Sequence, residues 1–186
     1  MLSSNNNIKI FIIGPPNSGK TAIANYLADL NKSLSSDYTP TQGVRILELD
    51  QIIKTTSKGS RKQQQTNVSI ELWDCSGEDR FKTIWPNLSS IANGLILVYD
   101  QENRLTEKDI DEWLSYFSLN EKQCMIYAYN KDSNSKKGKV DHKIPIHSVS
   151  IVDEPDNIKK TFDGFLTQVY VEMQEQLENE QRIITE

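Results

Sequence analysis

Residues 8–21 read Ile8-Lys9-Ile10-Phe11-Ile12-Ile13-Gly14-Pro15-Pro16-Asn17-Ser18-Gly19-Lys20-Thr21. The first six are apolar except Lys9, as in a strand buried on both faces of a parallel sheet. Gly14 follows at once, and then Ala22, Ile23, Tyr26, Leu27 and Leu30 recur at helical spacing. The opening unit is therefore strand, glycine loop, helix. In that setting Gly14–Thr21 fits the phosphate-loop pattern G-x-x-x-x-G-K-[ST]. Gly14, Pro16, Asn17, Ser18 and Gly19 shape the loop, and the amides of Asn17 to Thr21 turn inward toward a β-phosphate. Lys20 bridges the β- and γ-phosphates, and the Thr21 hydroxyl ligates Mg²⁺. A plain strand–turn–helix junction needs neither the lysine nor the hydroxyl. The loop alone does not separate GTPases, ATPases and kinases.

Outward from this unit, 31–43 is polar and turn-rich. Val44–Ile53 and Val68–Trp73 read as two strands, and the polar stretch Lys54–Asn67 between them reads as a long hairpin tip. Gly94–Asp100 has the composition of a buried strand. Ile110, Trp113, Leu114 and Phe117 mark one face of a helix. Cys124–Tyr129 and Ile144–His147 read as the last strands. Phe162, Phe165, Leu166, Val169, Met173 and Leu177 stripe a C-terminal helix that loses its pattern near Glu178. The expected organisation is a disordered segment 1–7, one domain over 8–178 and a frayed tail 179–186. Strands alternating with helices, with one hairpin, predict a mostly parallel sheet covered on both faces.

Two further segments carry chemistry. Asp74-Cys75-Ser76-Gly77 places D-x-x-G at a strand end. Asp74 can hold Mg²⁺ through a water, and Gly77 lets its N–H approach a γ-phosphate closely. Thr41, in Tyr38-Thr39-Pro40-Thr41-Gln42-Gly43, can complete the metal shell when a γ-phosphate is present. As a plain turn residue it would have no such role.

These segments, with Asp79-Arg80-Phe81-Lys82-Thr83 and Gly94–Asp100, resemble the switches and core of Rab-family small GTPases. The run Tyr38–Glu48 with Glu71–Cys75 and Trp85-Pro86 resembles, more narrowly, the Rab-like subunits of the intraflagellar transport B complex. The likeness is close over about 8–130 and loose in the C-terminal helix. It implies a small-GTPase fold, with a six-stranded sheet, one antiparallel edge strand and helices on both faces. It also implies GTP or GDP with Mg²⁺, a cytoplasmic and ciliary setting, and docking through the switches onto coiled-coil subunits of that complex. Trp73 and Phe81 form an apolar effector patch in the resembling family; ordinary sheet-face packing is the other reading.

The pattern departs from the family in three places. Glu78 stands where active small GTPases carry the Gln that orients water. As a catalytic residue it is doubtful. A free carboxylate ~4 Å from a γ-phosphate is repelled by about 4 kcal/mol per unit charge at an effective dielectric of about 20, so slow hydrolysis is expected. Asn130-Lys131-Asp132-Ser133 nearly fits the guanine-reading N-K-x-D. Asn130 ties the base loop to the phosphate loop and Lys131 packs on the base, but Ser133 lacks the carboxylate; a one-residue shift would let Asp132 substitute. Finally, Asn130 and Ile144 are separated by too few residues for the usual crossover helix. The helix between the last two strands is therefore expected to be missing, its sheet face left to a partner or covered by tilted neighbours. After the last strand, Ser148-Val149 or Ser150-Ile151 can serve as the base-facing pair.

The remaining features exclude more than they assign. A net charge of −5 gives no general attraction to nucleic acid or acidic lipid. Two cysteines, Cys75 and Cys124, are too few for a disulfide framework. Residue 2 is Leu and the last residues carry no cysteine, so no direct lipid anchor is expected. His142 and His147 lack metal-spaced companions. Three functions compete: a GTP-bound docking module, a cycling GTPase, and a small-substrate P-loop kinase. The kinase needs a cationic lid, whereas the five arginines (45, 61, 80, 104 and 182) are scattered.

Overall fold

The computed structural model describes the backbone of residues 6–30, 39–56, 63–103, 105–131, 140 and 142–185. Six strands form one sheet: β1 (Asn7–Ile13), β2 (Val44–Thr56), β3 (Gln63–Cys75), β4 (Gly94–Asp100), β5 (Cys124–Tyr129) and β6 (Ile146–Val149). Their order is β2-β3-β1-β4-β5-β6. The β2–β3 pair is antiparallel, and the other neighbours are parallel. The expected architecture, an edge hairpin on an otherwise parallel sheet, is what the chain forms.

Alternation along the strands sorts side chains to two cores. Ile8, Ile10 and Ile12 of β1 pack on one face with Ile23 and Leu27 of α1 (Lys20–Leu27) and Phe162, Leu166 and Val169 of α4 (Pro155–Thr185). Phe11 and Ile13 pack on the other with Trp85 of α2 (Trp85–Ser89) and Ile110, Trp113 and Phe117 of α3 (Glu107–Ser115). Thr106 starts α3 with a reciprocal capping box. Its hydroxyl accepts from the Asp109 amide, and the Asp109 carboxylate accepts from the Thr106 amide.

Several element boundaries move. The hairpin strands run to Thr56 and from Gln63, so most of the expected tip over 54–67 is paired strand. Cross-strand hydrogen bonds continue there although the side chains are polar, because an edge ribbon needs no buried face to keep its ladder. β1 starts at Asn7, whose Cα partner is Ser69, one residue before the expected domain start. α1 stops at Leu27 and Asp29 turns to φ 52, so Leu30 leaves the apolar stripe and is exposed. The last strand is shifted to Ile146–Val149, and Ile144 is a buried residue of the approach to it. α4 continues to Thr185, past the end of its apolar stripe. Residues 1–5, Tyr38, Asp132, Ser133 and the rest of the segment expected to lack a helix (132–139 and 141) lie outside the described residues.

Candidate nucleotide site

Parallel strands place their carboxyl ends on one rim, where ligands of open α/β sheets bind. β1 delivers Gly14 to that rim, β3 delivers Asp74, β4 Asp100, β5 Asn130 and Lys131, and β6 Ser148.

The glycine loop takes backbone angles that explain its composition. Gly14 has φ 140 and Gly19 φ 94, regions that suit residues without a Cβ, and Asn17 sits at φ 57. Space agrees with conformation. A Cβ on Gly14 would lie 2.0 Å from the Val98 carbonyl oxygen, and one on Gly19 would lie 2.2 Å from the Tyr129 ring. Gly77 closes the rim from the β3 side, where a Cβ would lie 2.5 Å from the Gly14 carbonyl oxygen. The first-turn amides of α1 leave the loop without intrahelical partners, as any helix start does.

Lys20 is buried, its Nζ donating to the carbonyls of Gly14 (3.0 Å) and Pro15 (2.6 Å), with Ser18 Oγ at 3.4 Å. Burial lowers its pKa to about 8 against the attraction of Asp74. The ammonium is thus parked in the mouth of the loop, short of a full counter-charge.

Beside it, Thr21, Thr41 and Asp74 converge. Thr21 and Thr41 Oγ1 are 2.9 Å apart, Thr21 Oγ1 donates to Asp74 Oδ2 at 2.9 Å, and Thr41 Oγ1 does so at 3.4 Å. Octahedral Mg²⁺ with ligands at about 2.1 Å sets neighbouring oxygens about 3 Å apart, the separation of the two hydroxyls. Asp74 is fully buried, and its Oδ1 has no partner among the described residues. Burial raises its pKa, opposed by the Thr21 hydroxyl and the Arg45 charge. An orphaned carboxylate oxygen beside two hydroxyls at cis-ligand spacing fits a hard divalent cation with water. Among the described residues no group of three or more His, Cys, Asp or Glu side chains could hold a metal.

Glu78 does not stand as a free carboxylate. Arg80 Nε lies 2.6 Å from Glu78 Oε2, and Arg80 Nη2 donates to Gln42 Oε1 at 3.0 Å. The repulsion expected of a bare Glu78 is therefore partly compensated. Phe81 lies beneath the Arg80 guanidinium, 4.7 Å from ring centroid to Cζ. Trp73 stacks on buried Phe11 with centroids 4.9 Å apart, and its indole donates to Glu71.

On the base side, Lys131 Nζ donates to the Asn17 carbonyl (2.6 Å) and to Asp100 Oδ2 (2.7 Å). The Asn130 amide donates to Val149, and Ser148 Oγ donates to Gln101 Oε1 at 3.3 Å. Ser150, the competing candidate, is occupied with Asp153. Lys131 and the phosphate loop thus meet directly. Asp100, Gln101, Tyr129 and Arg45 belong to the rim but were not singled out from the sequence. Asp100 ends a buried strand and Gln101 follows it, a position that could have flagged them. Arg45 needed the strand register.

Comparison with known proteins agrees with this geometry. Residues 9–133 match the family model described as Roc, the Ras of Complex domain of DAPkinase. The intraflagellar transport protein 22 homologue of Danio rerio is 34% identical, over 95% of this chain and 97% of its own. The Homo sapiens homologue gives the same figures. The chain belongs to the intraflagellar transport protein 22 family. It is thereby a small GTPase of the intraflagellar transport system. The family's fold is seen in the GTP-bound crystal structure of Trypanosoma brucei IFT22/74/81, with a TM-score of 0.67 at 24% identity over 90% of this chain and 96% of that one. The GDP-bound Trypanosoma brucei IFT22 structure superposes with a TM-score of 0.62 at 23% identity over 89% and 97%.

Proposed function

We propose that the chain binds GTP with Mg²⁺ at the Gly14–Thr21 loop and acts as a nucleotide-dependent docking subunit of the intraflagellar transport B complex, in cytoplasm and cilium. The observation that carries this reading is the meeting of Lys20, Thr21, Thr41 and Asp74, drawn from three separate segments, at one end of one sheet. Lys20 exchanges its loop carbonyls for phosphate oxygens, which return the counter-charge that burial withholds. Thr21 and Thr41 would hold Mg²⁺ through their hydroxyls and Asp74 through a water, and the ion would offset phosphate charge. Thr41 and Gly77 are then held by the γ-phosphate end, which orders the segments on which the coiled-coil partners dock. A Trypanosoma brucei relative in the GTP-bound state is assembled as IFT22/74/81, which supports the choice of partner.

Hydrolysis is slow in this reading. Glu78 is committed to Arg80, and no neutral amide stands at that position to orient water. On the base side Lys131 and Asn130 frame the guanine while Ser133 supplies no carboxylate. Ser133→Asp is expected to tighten GTP binding about tenfold or more, the scale of a hydrogen bond to a charged group, while Asp132→Ala does little. The reverse pair of results would assign base reading to Asp132.

Denaturing the purified chain and identifying the released nucleotide tests the core of the reading. Stoichiometric GTP is the expected result. GDP would favour a cycling GTPase, and ATP would overturn guanine recognition.

A further inference from the structure

Antiparallel register sets Arg45 of β2 directly opposite Asp74 of β3. Its Nη2 lies 3.2 Å from Asp74 Oδ2 and donates to Asn25 Oδ1 at 2.8 Å. Asn25 is one helical turn beyond Thr21 on α1, so the two share a face. Arg45 Nε is buried with no partner among the described residues. A guanidinium therefore shares Asp74 Oδ2 with the two hydroxyls and leaves only Oδ1 of that carboxylate open.

We propose that Arg45 is a resident counter-cation of the metal site: it holds Asp74 when the divalent ion is away, so nucleotide retention in this chain depends weakly on Mg²⁺. The inference rests on the nucleotide-binding reading above. Two consequences follow from charge alone. With Arg45 present, Mg²⁺ approaches a carboxylate whose charge is partly compensated, and its affinity is lowered. With Mg²⁺ removed, the buried carboxylate keeps a partner and the Thr21–Thr41–Asp74 cluster keeps its shape. Asn25 is the positioning residue, because it fixes the guanidinium from the α1 side.

The test compares release of a fluorescent GDP analogue in excess Mg²⁺ and in excess EDTA, for the full chain and for Arg45→Gln, Arg45→Lys and Asn25→Ala. Mn²⁺ affinity of the nucleotide-loaded proteins is measured in parallel by electron paramagnetic resonance. In Arg45→Gln, EDTA should speed release about tenfold more than in the parent, and Mn²⁺ should bind about tenfold tighter, the scale of one charged hydrogen bond. Arg45→Lys should stay near the parent, and Asn25→Ala should fall between, which keeps the test decisive if Arg45→Gln does not fold. Equal EDTA responses with unchanged or weaker Mn²⁺ binding would overturn the role of Arg45 while leaving nucleotide binding intact. A parent chain that holds no guanine nucleotide would overturn both.

Discussion

At the residue scale, the rim is governed by contacts that tolerate almost no change of size or charge. Lys20 is buried among carbonyls at the mouth of the loop, and its removal deletes the cation that meets the phosphates. Lys20→Ala should weaken GTP binding at least tenfold to a hundredfold, since hydrogen bonds to charged groups contribute about 1.5–3 kcal/mol each; titration with a fluorescent GTP analogue reads this. Gly77 has no room for a methyl group, because a Cβ would lie 2.5 Å from the Gly14 carbonyl oxygen and 2.6 Å from Pro16 N. Gly77→Ala should cost about 1–3 kcal/mol of stability by overpacking, measured by urea unfolding, and should lower nucleotide affinity as the loop shifts. Cys75 and Cys124 are packing residues. Burial pushes both thiols up to about 12, so neither is a thiolate near neutral pH.

At the element scale, β1 and β3 are joined by polar side chains as well as by core. Glu71 of β3 accepts from Lys9 Nζ at 2.8 Å and from the Trp73 indole at 2.9 Å, and Asn7 also donates to it. Burial raises the Glu71 pKa, but these donors outweigh it and the net shift is downward. A depressed carboxylate stabilises the fold above its unfolded value near 4.5 and loses that contribution as pH falls through the lower folded value. Acid unfolding should therefore steepen below about pH 4.5, and Glu71→Gln should flatten that part of the curve by lowering stability at pH 7 while changing little near pH 2; urea unfolding followed by circular dichroism across pH 2–7 checks the sign. The same network holds β3 in register against β1 close to the switch residues. Leu72 and Asp74 face one side of the sheet and Trp73 the other, and a slip of one residue would expel Asp74 from the rim.

At the scale of the whole molecule, nucleotide binding and folding are linked because the site is assembled from elements that meet only in the folded sheet. A ligand present at 100 times its Kd adds about 2.7 kcal/mol to the stability of the state that binds it, and each kcal/mol moves Tm by roughly 2–4 °C in a domain of this size. GTP and GDP should raise Tm by several degrees in differential scanning fluorimetry, while ATP at the same concentration should leave it within about a degree. An equal rise with ATP would mean that Lys131 and its neighbours do not select guanine. Among the described residues no helix is long and apolar enough to cross a membrane.

Much of the fold was legible in the sequence because local order encodes it. An apolar run, a glycine loop and a lysine–threonine pair specify strand, turn and helix start within fourteen consecutive residues, and D-x-x-G fixes the second rim segment by its place at a strand end. Polar composition misled the reading of the hairpin, since Lys54 and Gln65 pair as ordinary strand residues on an edge ribbon that buries little. Composition was also silent about Arg45, which counted as one of five scattered arginines until the antiparallel register put it opposite Asp74. The setting of Glu78 was hidden for the same reason: it pairs with Arg80, which also donates to Gln42, thirty-six residues from Glu78 in the chain. Motifs thus announced the chemistry that a phosphate requires. Which charges face one another depends on strand pairing and on the crossing of α1 over the sheet, and only the folded chain brings those partners within hydrogen-bonding distance.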